Sequence, residues 1–264
     1  MMTTMTAAMR AGNHVHASRR RALAIGHRGS PGPGRPENTV AAVTAALDEG
    51  ADGVEIDVRL TADGSLVCSH DASVTGVFGH PVYVGVSTAA ELRLVRLPGG
   101  HTLGQLPEVL TAARCRRRCH VVVEAKPCTD TATVRRTALA LADELACFAC
   151  DLDLTVSSFD APLLAEIRVR LDRLPVRTAL LGHAFIPASQ LLTQAMTEAH
   201  DEIQPHLFSL LKAPAVVQTA HALGLGVTCW TVNRRRHVTA LSRLGVDGII
   251  TDNVSGVRAM LSTV

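Results

Sequence analysis

The chain has 264 residues, 47% of them apolar, and a formal net charge of +2. That length accommodates one large domain with a substantial core, the size of an α/β barrel. So small a charge gives no basis for binding nucleic acid or an acidic membrane surface.

The first 21 residues are polar, Ala-rich and end in Arg19-Arg20-Arg21. No apolar stretch of signal-peptide length follows them, and no run approaches the ~20 apolar residues that span a bilayer. They are read as a disordered N-terminal tail on a cytoplasmic protein with no stable membrane association. From there apolar strands alternate with helical stretches. Strands are expected at 22–26, 53–59, 120–125, 152–158, 177–181, 206–210, 226–232 and 247–251. Helices are expected at 39–49, 106–117, 131–146, 162–171, 187–199, 213–223, 234–244 and 254–261. Asn38, Asp130, Asp160 and Asn253 stand where an N-cap side chain is wanted, and Gly50, Gly224 and Gly245 where a left-handed residue closes a helix. Eight strand–helix units predict a (β/α)8 TIM barrel over residues 22–264, with a small insertion at about 72–104 after the second strand. A doubly wound open sheet is the competing arrangement, but no Gly-rich dinucleotide fingerprint follows the first strand.

The stretch at 53–71, GVEIDVRLTADGSLVCSHD, predicts a strand, a tight Asp63-Gly64 reversal and a second strand ending at His70. Period-two alternation puts Glu55 and Asp57 on one face and Val54, Ile56 and Val58 on the other. Two neighbouring carboxylates repel unless a cation lies between them. In a barrel the site forms at the C-terminal ends of the strands, and the unusual polar residues fall there. They are His27-Arg28-Gly29, Glu55 and Asp57, His70, Glu124 and Lys126, Ser157 to Asp160, Trp230 to Asn233, and Asp252.

Glu55, Asp57 and Glu124 are hard oxygen donors that suit one divalent cation, Mg²⁺ or Ca²⁺. His27 and His70 suit acid and base work near neutral pH. Arg28 and Lys126 suit an anion, with phosphate the natural choice beside a metal. Lys126 and Lys212 are the only lysines in a chain that otherwise uses arginine, which sharpens the reading of Lys126. Trp230, the single tryptophan, either packs the barrel mouth or touches substrate. Asn38 and Asn233 are supporting residues, Asn38 chiefly as a helix cap. The remaining histidines, including His183, His206 and His237, carry no context beyond surface or packing roles. The seven cysteines are read as buried or incidental thiols, although Cys115/Cys119 and Cys147/Cys150 have spacings seen in metal or redox sites.

These motifs resemble the glycerophosphodiester phosphodiesterase family. Its H-R-G…P-E-N-T is present as His27-Arg28-Gly29 and Pro36-Glu37-Asn38-Thr39, and its E-x-D…T-x-D-G…H-D as Glu55, Asp57, Thr61, Asp63-Gly64 and His70-Asp71. E-x-K falls at Glu124 and Lys126, and S-S-F-D, W-T-V-N and G-x-D-G-I-I-T-D at 157–160, 230–233 and 245–252. The resemblance covers 22 to about 262. It implies a TIM barrel that hydrolyses small glycerophosphodiesters to sn-glycerol 3-phosphate and an alcohol. His27 and His70 would be the catalytic pair, Glu55, Asp57 and Glu124 would hold the cation, and Arg28 and Lys126 would grip phosphate. The chain departs from the pattern at Ala72–Gly76, in the Pro- and Gly-rich loop Ser30–Arg35, and at Val254, where proline is frequent; these bear on substrate preference.

A lysophospholipase D-like or other lipid phosphodiesterase is the alternative, suggested by the apolar character of 72–104. A catalytically silent phosphodiester-binding protein would lack a histidine or a metal carboxylate, and all are present. A homodimeric assembly is compatible with the sequence.

Overall fold

The computed structural model describes residues 21–116 and 118–263. The expectation of disorder at 1–21 therefore lies, for 1–20, outside the described residues. Arg21 belongs to the fold: its guanidinium makes two hydrogen bonds to Asp52, at 2.8 and 3.0 Å.

In chain order the elements are β1 (Leu23–His27), α1 (Val40–Asp48), β2 (Gly53–Leu60), β3 (Leu66–Cys68), β4 (Ser73–Thr75), β5 (Pro81–Tyr83), α2 (Ala89–Leu92) and α3 (Leu106–Ala113). There follow β6 (His120–Ala125), α4 (Thr131–Ala146), β7 (Asp153–Ser158), α5 (Ala161–Arg170), β8 (Val176–Gly182) and α6 (Ala188–Thr197). The chain ends with β9 (Glu202–Pro205), α7 (Leu207–Lys212), α8 (Val216–Ala222), β10 (Gly226–Cys229), α9 (Arg235–Leu244), β11 (Gly248–Thr251) and α10 (Val254–Leu261).

Eight strands, β1, β2 and β6 to β11, run parallel, and β1 pairs with both β2 and β11, so the ring closes. The fold is a TIM barrel, as the sequence predicts. β3 lies outside the ring, antiparallel to the upper end of β2 through Val58↔Cys68. Alternation sorts the side chains into two cores. Val54, Ile56, Val58, Val121, Val123, Leu154, Val156, Ile203, Val227 and Ile249 face the helices in the main cluster, whereas Ile25, Val122 and Ile250 pack inside the ring. The 71–104 insertion packs Val84, Leu92 and Leu103 against Val67 of β3 in a small separate core. Gly53 is required where β2 meets β6, since a Cβ there would stand 2.1 Å from the His120 carbonyl oxygen.

Three expectations change. The strand expected at 206–210 is helix α7, and the sixth barrel strand is β9, Glu202–Pro205. Leu207 and Leu210 are buried at helical spacing, and the His206 ring accepts from the Phe208 N–H as a cap. Glu202 and Gln204 face into the ring and mask the strand's apolar signal. The helix begun at 106 ends at Ala113, the last member of its buried 106, 109, 110, 113 stripe. Finally, Thr39 rather than Asn38 caps α1, its hydroxyl accepting from the Ala42 N–H at 3.2 Å. Asp130, Asp160 and Asn253 cap as expected. Gly50, Gly224 and Gly245 hold positive φ.

The seven cysteines are free thiols: Cys68, Cys119 and Cys229 are buried, and Cys115, Cys147 and Cys150 exposed. Among the described residues no helix is long and apolar enough to cross a membrane.

Candidate active site

Each of the eight barrel positions contributes one side chain to a narrow pocket at the mouth of the barrel. His27, Glu124, Leu181 and Trp230 come from one alternate set of strands, and Glu55, Ser157, Gln204 and Ile250 from the other. This is the interleaving that strand tilt imposes on a barrel interior.

Glu55, Asp57 and Glu124 present carboxylate oxygens within 4.8 Å of one another. Register explains the meeting, because Asp57 on β2 is paired with Glu124 on β6 and Glu55 with His27 on β1. All three are nearly buried, so their charges must be met locally. The Lys126 ammonium lies 2.5 Å from Glu124 Oε1 and 3.1 Å from Asp57 Oδ1. Arg28 Nε lies 3.1 Å from Asp57 Oδ2, its backbone N–H donates to Glu55 Oε2 at 3.0 Å, and its Nη1 donates to Glu37. Asn38 clamps Asp57 twice: its amide donates to Oδ2 at 2.9 Å, and its carbonyl accepts from the Asp57 backbone N–H at 3.0 Å.

Both loop residues that reach Asp57 have left-handed backbones, Arg28 at φ 56° and Asn38 at φ 58°, and the Asn38 N–H donates to the Arg28 carbonyl. A non-glycine residue in this region costs of order 1 kcal/mol, which the surrounding contacts must offset. Gly29 follows at φ 84°, where a Cβ would strike the α1 backbone at 2.5 Å.

These charges fix the titration of the group. Burial, with Asp57 and Glu124 beside it, pushes the Glu55 carboxyl well above the usual carboxylate range. Burial and Asp57 also raise Glu124, with Lys126 opposing. Burial alone would raise Asp57, but Lys126, the Asn38 hydrogen bond, Arg28 and His70 hold it down. The ammonium of Lys126 is raised against its own burial by Glu124 and Asp57.

The two histidines approach from different elements. His27 Nε2 is 4.0 Å from Glu55 Oε2, while its Nδ1 is 2.7 Å from Asp252 Oδ1. Asp252 is itself held by the Asn233 amide at 2.7 Å. His70 leaves β3 where Ser69 N–H still bonds the Asp57 carbonyl, and its Nδ1 is 2.8 Å from Asp71. Its main chain is fixed by Arg59, whose Nε and Nη2 both donate to the His70 carbonyl at 3.0 and 2.8 Å. Each imidazole is thus oriented by a carboxylate on Nδ1.

The glycerophosphoryl diester phosphodiesterase family model matches residues 27–255. The chain belongs to this family. A relative from Mycobacterium tuberculosis, named probable glycerophosphodiester phosphodiesterase 1, is 33% identical over 257 residues, which span 90% of this chain and 91% of its own. Among solved structures, a glycerophosphodiester phosphodiesterase from Parabacteroides distasonis superposes with a TM-score of 0.80 at 23% identity, over 93% of this chain and 99% of its own. An Oleispira antarctica phosphodiesterase in complex with the product sn-glycerol-3-phosphate gives 0.79 at 24% identity, over 90% and 96%. At these identities the structural likeness is one of fold.

Within this glycerophosphoryl diester phosphodiesterase fold, all ten sequence-predicted site residues lie at or beside the carboxylate cluster or the barrel mouth. Trp230 lines the pocket and donates its indole N–H to the Gln204 carbonyl at 2.8 Å. Phe159 packs edge-on to it and stacks on His183. His206 also meets Trp230 edge-on, so His183 and His206 join the mouth rather than the plain surface. Sequence reasoning assigned no role to Arg59, Asp252, Ser157 or Gln204. Arg59 had a signal, since it shares the inward parity of Glu55 and Asp57; Gln204 was hidden by the misplaced sixth strand.

Proposed function

We propose that the chain catalyses cation-dependent hydrolysis of glycerophosphodiesters to sn-glycerol 3-phosphate and an alcohol, with His27 and His70 as the acid–base pair. The observation that carries the reading is the cluster of three nearly buried carboxylates at the C-terminal end of the barrel, with Arg28 and Lys126 paired to it and His27 and His70 beside it. The relatives' names and the product seated in the Oleispira enzyme point to the same substrate class.

The donor set fits a Mg²⁺ or Ca²⁺ ion. All three residues offer hard oxygens, and Glu55 Oε1 is buried with no hydrogen-bond partner among the described residues. When bound there, a divalent cation would offset charge on the phosphoryl oxygens. Arg28 and Lys126 would add hydrogen-bonded positive charge to the same oxygens once substrate competes for them with Asp57. His27, the less exposed histidine and the one nearest Glu55, would take the proton of the nucleophilic oxygen, whether of water or of a substrate hydroxyl later replaced by water, as its bond to phosphorus forms. His70, nearer solvent, would return a proton to the alcohol as its P–O bond breaks. Overall one water is consumed and one alcohol released. Asp252 and Asp71 would keep each Nε2 turned to substrate, and Arg59 would hold the His70 main chain in place.

The test is release of sn-glycerol 3-phosphate and choline from glycerophosphocholine after EDTA, and again with Mg²⁺ or Ca²⁺ restored. Release that returns only with cation is expected; release that is indifferent to EDTA would refute the cation assignment. A lipid phosphodiesterase is the second reading, favoured by Val77, Phe78, Tyr83, Val86 and Leu94, all exposed on the insertion. It requires faster turnover of lysolipid in vesicles than of glycerophosphocholine, with the preference lost when these side chains are made polar.

A further inference from the structure

From Ile203 to Val246 the chain carries no aspartate or glutamate, yet it holds Lys212, Arg234, Arg235, Arg236 and Arg243. The stretch spans α7, α8, β10 and α9, so one sector of the barrel is positive in a chain whose net charge is only +2. Arg234 to Arg236 stand where β10 gives way to α9, on the face of the barrel that carries the carboxylates and histidines. All three are exposed, and none makes an ion pair among the described residues. Cations at the start of a helix oppose its dipole, so the stability of α9 does not account for them.

Two connections tie this patch to the pocket. Trp230, which lines the pocket, meets His206 edge-on at 5.2 Å. Phe208 lies 5.4 Å from His206, and His237 lies 6.1 Å from Phe208. Arg236 Nε donates to His237 Nε2 at 3.2 Å. Burial, then the charges of Arg236 and Arg234, lower the His237 imidazole, so the arginine field reaches this row of rings. The second connection is along the chain: Arg234 follows Asn233, whose amide holds Asp252, the partner of His27.

Carboxylates around the mouth are already engaged. Glu37 pairs with Arg28, Asp71 with His70, and Asp252 with His27 and Asn233. Asp160 accepts from the Cys128 and Leu163 N–H groups. The charge left without a partner beside Trp230 is therefore positive. Glycerol is the same uncharged half in every glycerophosphodiester, so charge at the rim discriminates only through the alcohol.

We propose that Arg234, Arg235 and Arg236 select glycerophosphodiesters whose alcohol half is itself anionic, bearing a further phosphate, over those with a cationic alcohol such as choline. This inference rests on the phosphodiesterase reading above and names the substrate class of that site. Choline esters remain substrates and turn over more slowly.

The experiment compares kcat/KM of the cation-loaded full chain for glycerophosphoinositol, its 4-phosphate and glycerophosphocholine. The first two share one alcohol and differ only in the added phosphate. At low salt the 4-phosphate is expected to exceed its parent by about tenfold, the scale of three exposed charge contacts, with the choline ester below both. Raising ionic strength should shrink that ratio, because exposed charges are screened. Replacing all three arginines (Arg234→Gln, Arg235→Gln, Arg236→Gln) should bring it to within about twofold of unity. Each single change should remove part of it, which decides the matter should the triple variant fail to fold. A wild-type ratio near unity, or one that the substitutions leave unchanged, overturns the proposal and leaves the phosphodiesterase reading standing. Sedimentation with phosphatidylglycerol vesicles that depends on the arginines, at a ratio near unity, would overturn it in favour of a lipid surface. Release of sn-glycerol 3-phosphate from none of the three diesters would refute the phosphodiesterase reading instead.

Discussion

Replacing Lys126 with Met separates charge compensation from packing, because the change keeps most of the stem and removes the ammonium. At 3.1 Å from Asp57 and closer to Glu124, each attraction is worth about 5 kcal/mol at an effective dielectric of about 20, before the desolvation that opposes it. Breaking a buried pair from one side leaves uncompensated carboxylates and costs about 3–5 kcal/mol net. In a barrel of this size each kcal/mol moves Tm by about 2–4 °C, so the variant in EDTA should melt roughly 6–20 °C below wild type. Saturating Mg²⁺ or Ca²⁺ should recover more of that loss in the variant than it adds to wild type, since the cation meets the same charges. The assay is thermal unfolding by circular dichroism, with and without cation. A loss below about 2 °C in EDTA would refute the charge argument. An equal gain from cation in both proteins would assign the loss to packing of the stem.

His27→Ala and His70→Ala should each lower kcat by about 10²- to 10⁴-fold while leaving Tm and cation affinity near wild type; near-normal turnover in both would sink the acid–base assignment. At the opposite end of the barrel, burial alone would raise Asp153, but His120 and Arg177 hold its carboxyl well below the ordinary range. A carboxyl with a depressed folded value stabilises above its unfolded pKa of about 3.9 and loses that contribution as pH falls through it and beyond. Urea midpoints of wild type and Asp153→Asn should thus differ at pH 7 and converge toward pH 2, by about 1 kcal/mol given the partial exposure of this side chain; a constant gap would contradict the linkage. Gly53→Ala should cost at least about 1–3 kcal/mol by driving a methyl into the His120 carbonyl, read as a lower urea midpoint at unchanged slope.

Much of this site was legible because its pieces are local. Glu55 and Asp57 share a strand face by period two, Glu124 sits near the end of a strand with Lys126 just past it, and His27 ends a strand. The sixth strand was not legible. Its inward residues are Glu202 and Gln204, so it lacks an apolar run, while the neighbouring Leu207–Lys212 has one and is a helix. Asn38 was misjudged for a related reason. Its neighbour Thr39 serves equally well as a cap, and only the long-range approach of Asp57 gives the Asn38 amide a better partner.

By itself the sequence determined the order of strand and helix outside the sixth unit, the alternation that sends one set of side chains to the helices and the other into the barrel, and which carboxylates cluster at the strand ends. These follow from covalent spacing and the periods 2 and 3.6, which any folded form of the chain must respect. Closure of β1 onto β11 was decided by tertiary structure, as were the pairing of Asp57 with Glu124 and the Asp252 partner of His27. Each joins residues tens to hundreds of positions apart. Their meeting depends on strand register and barrel tilt, which no local pattern encodes.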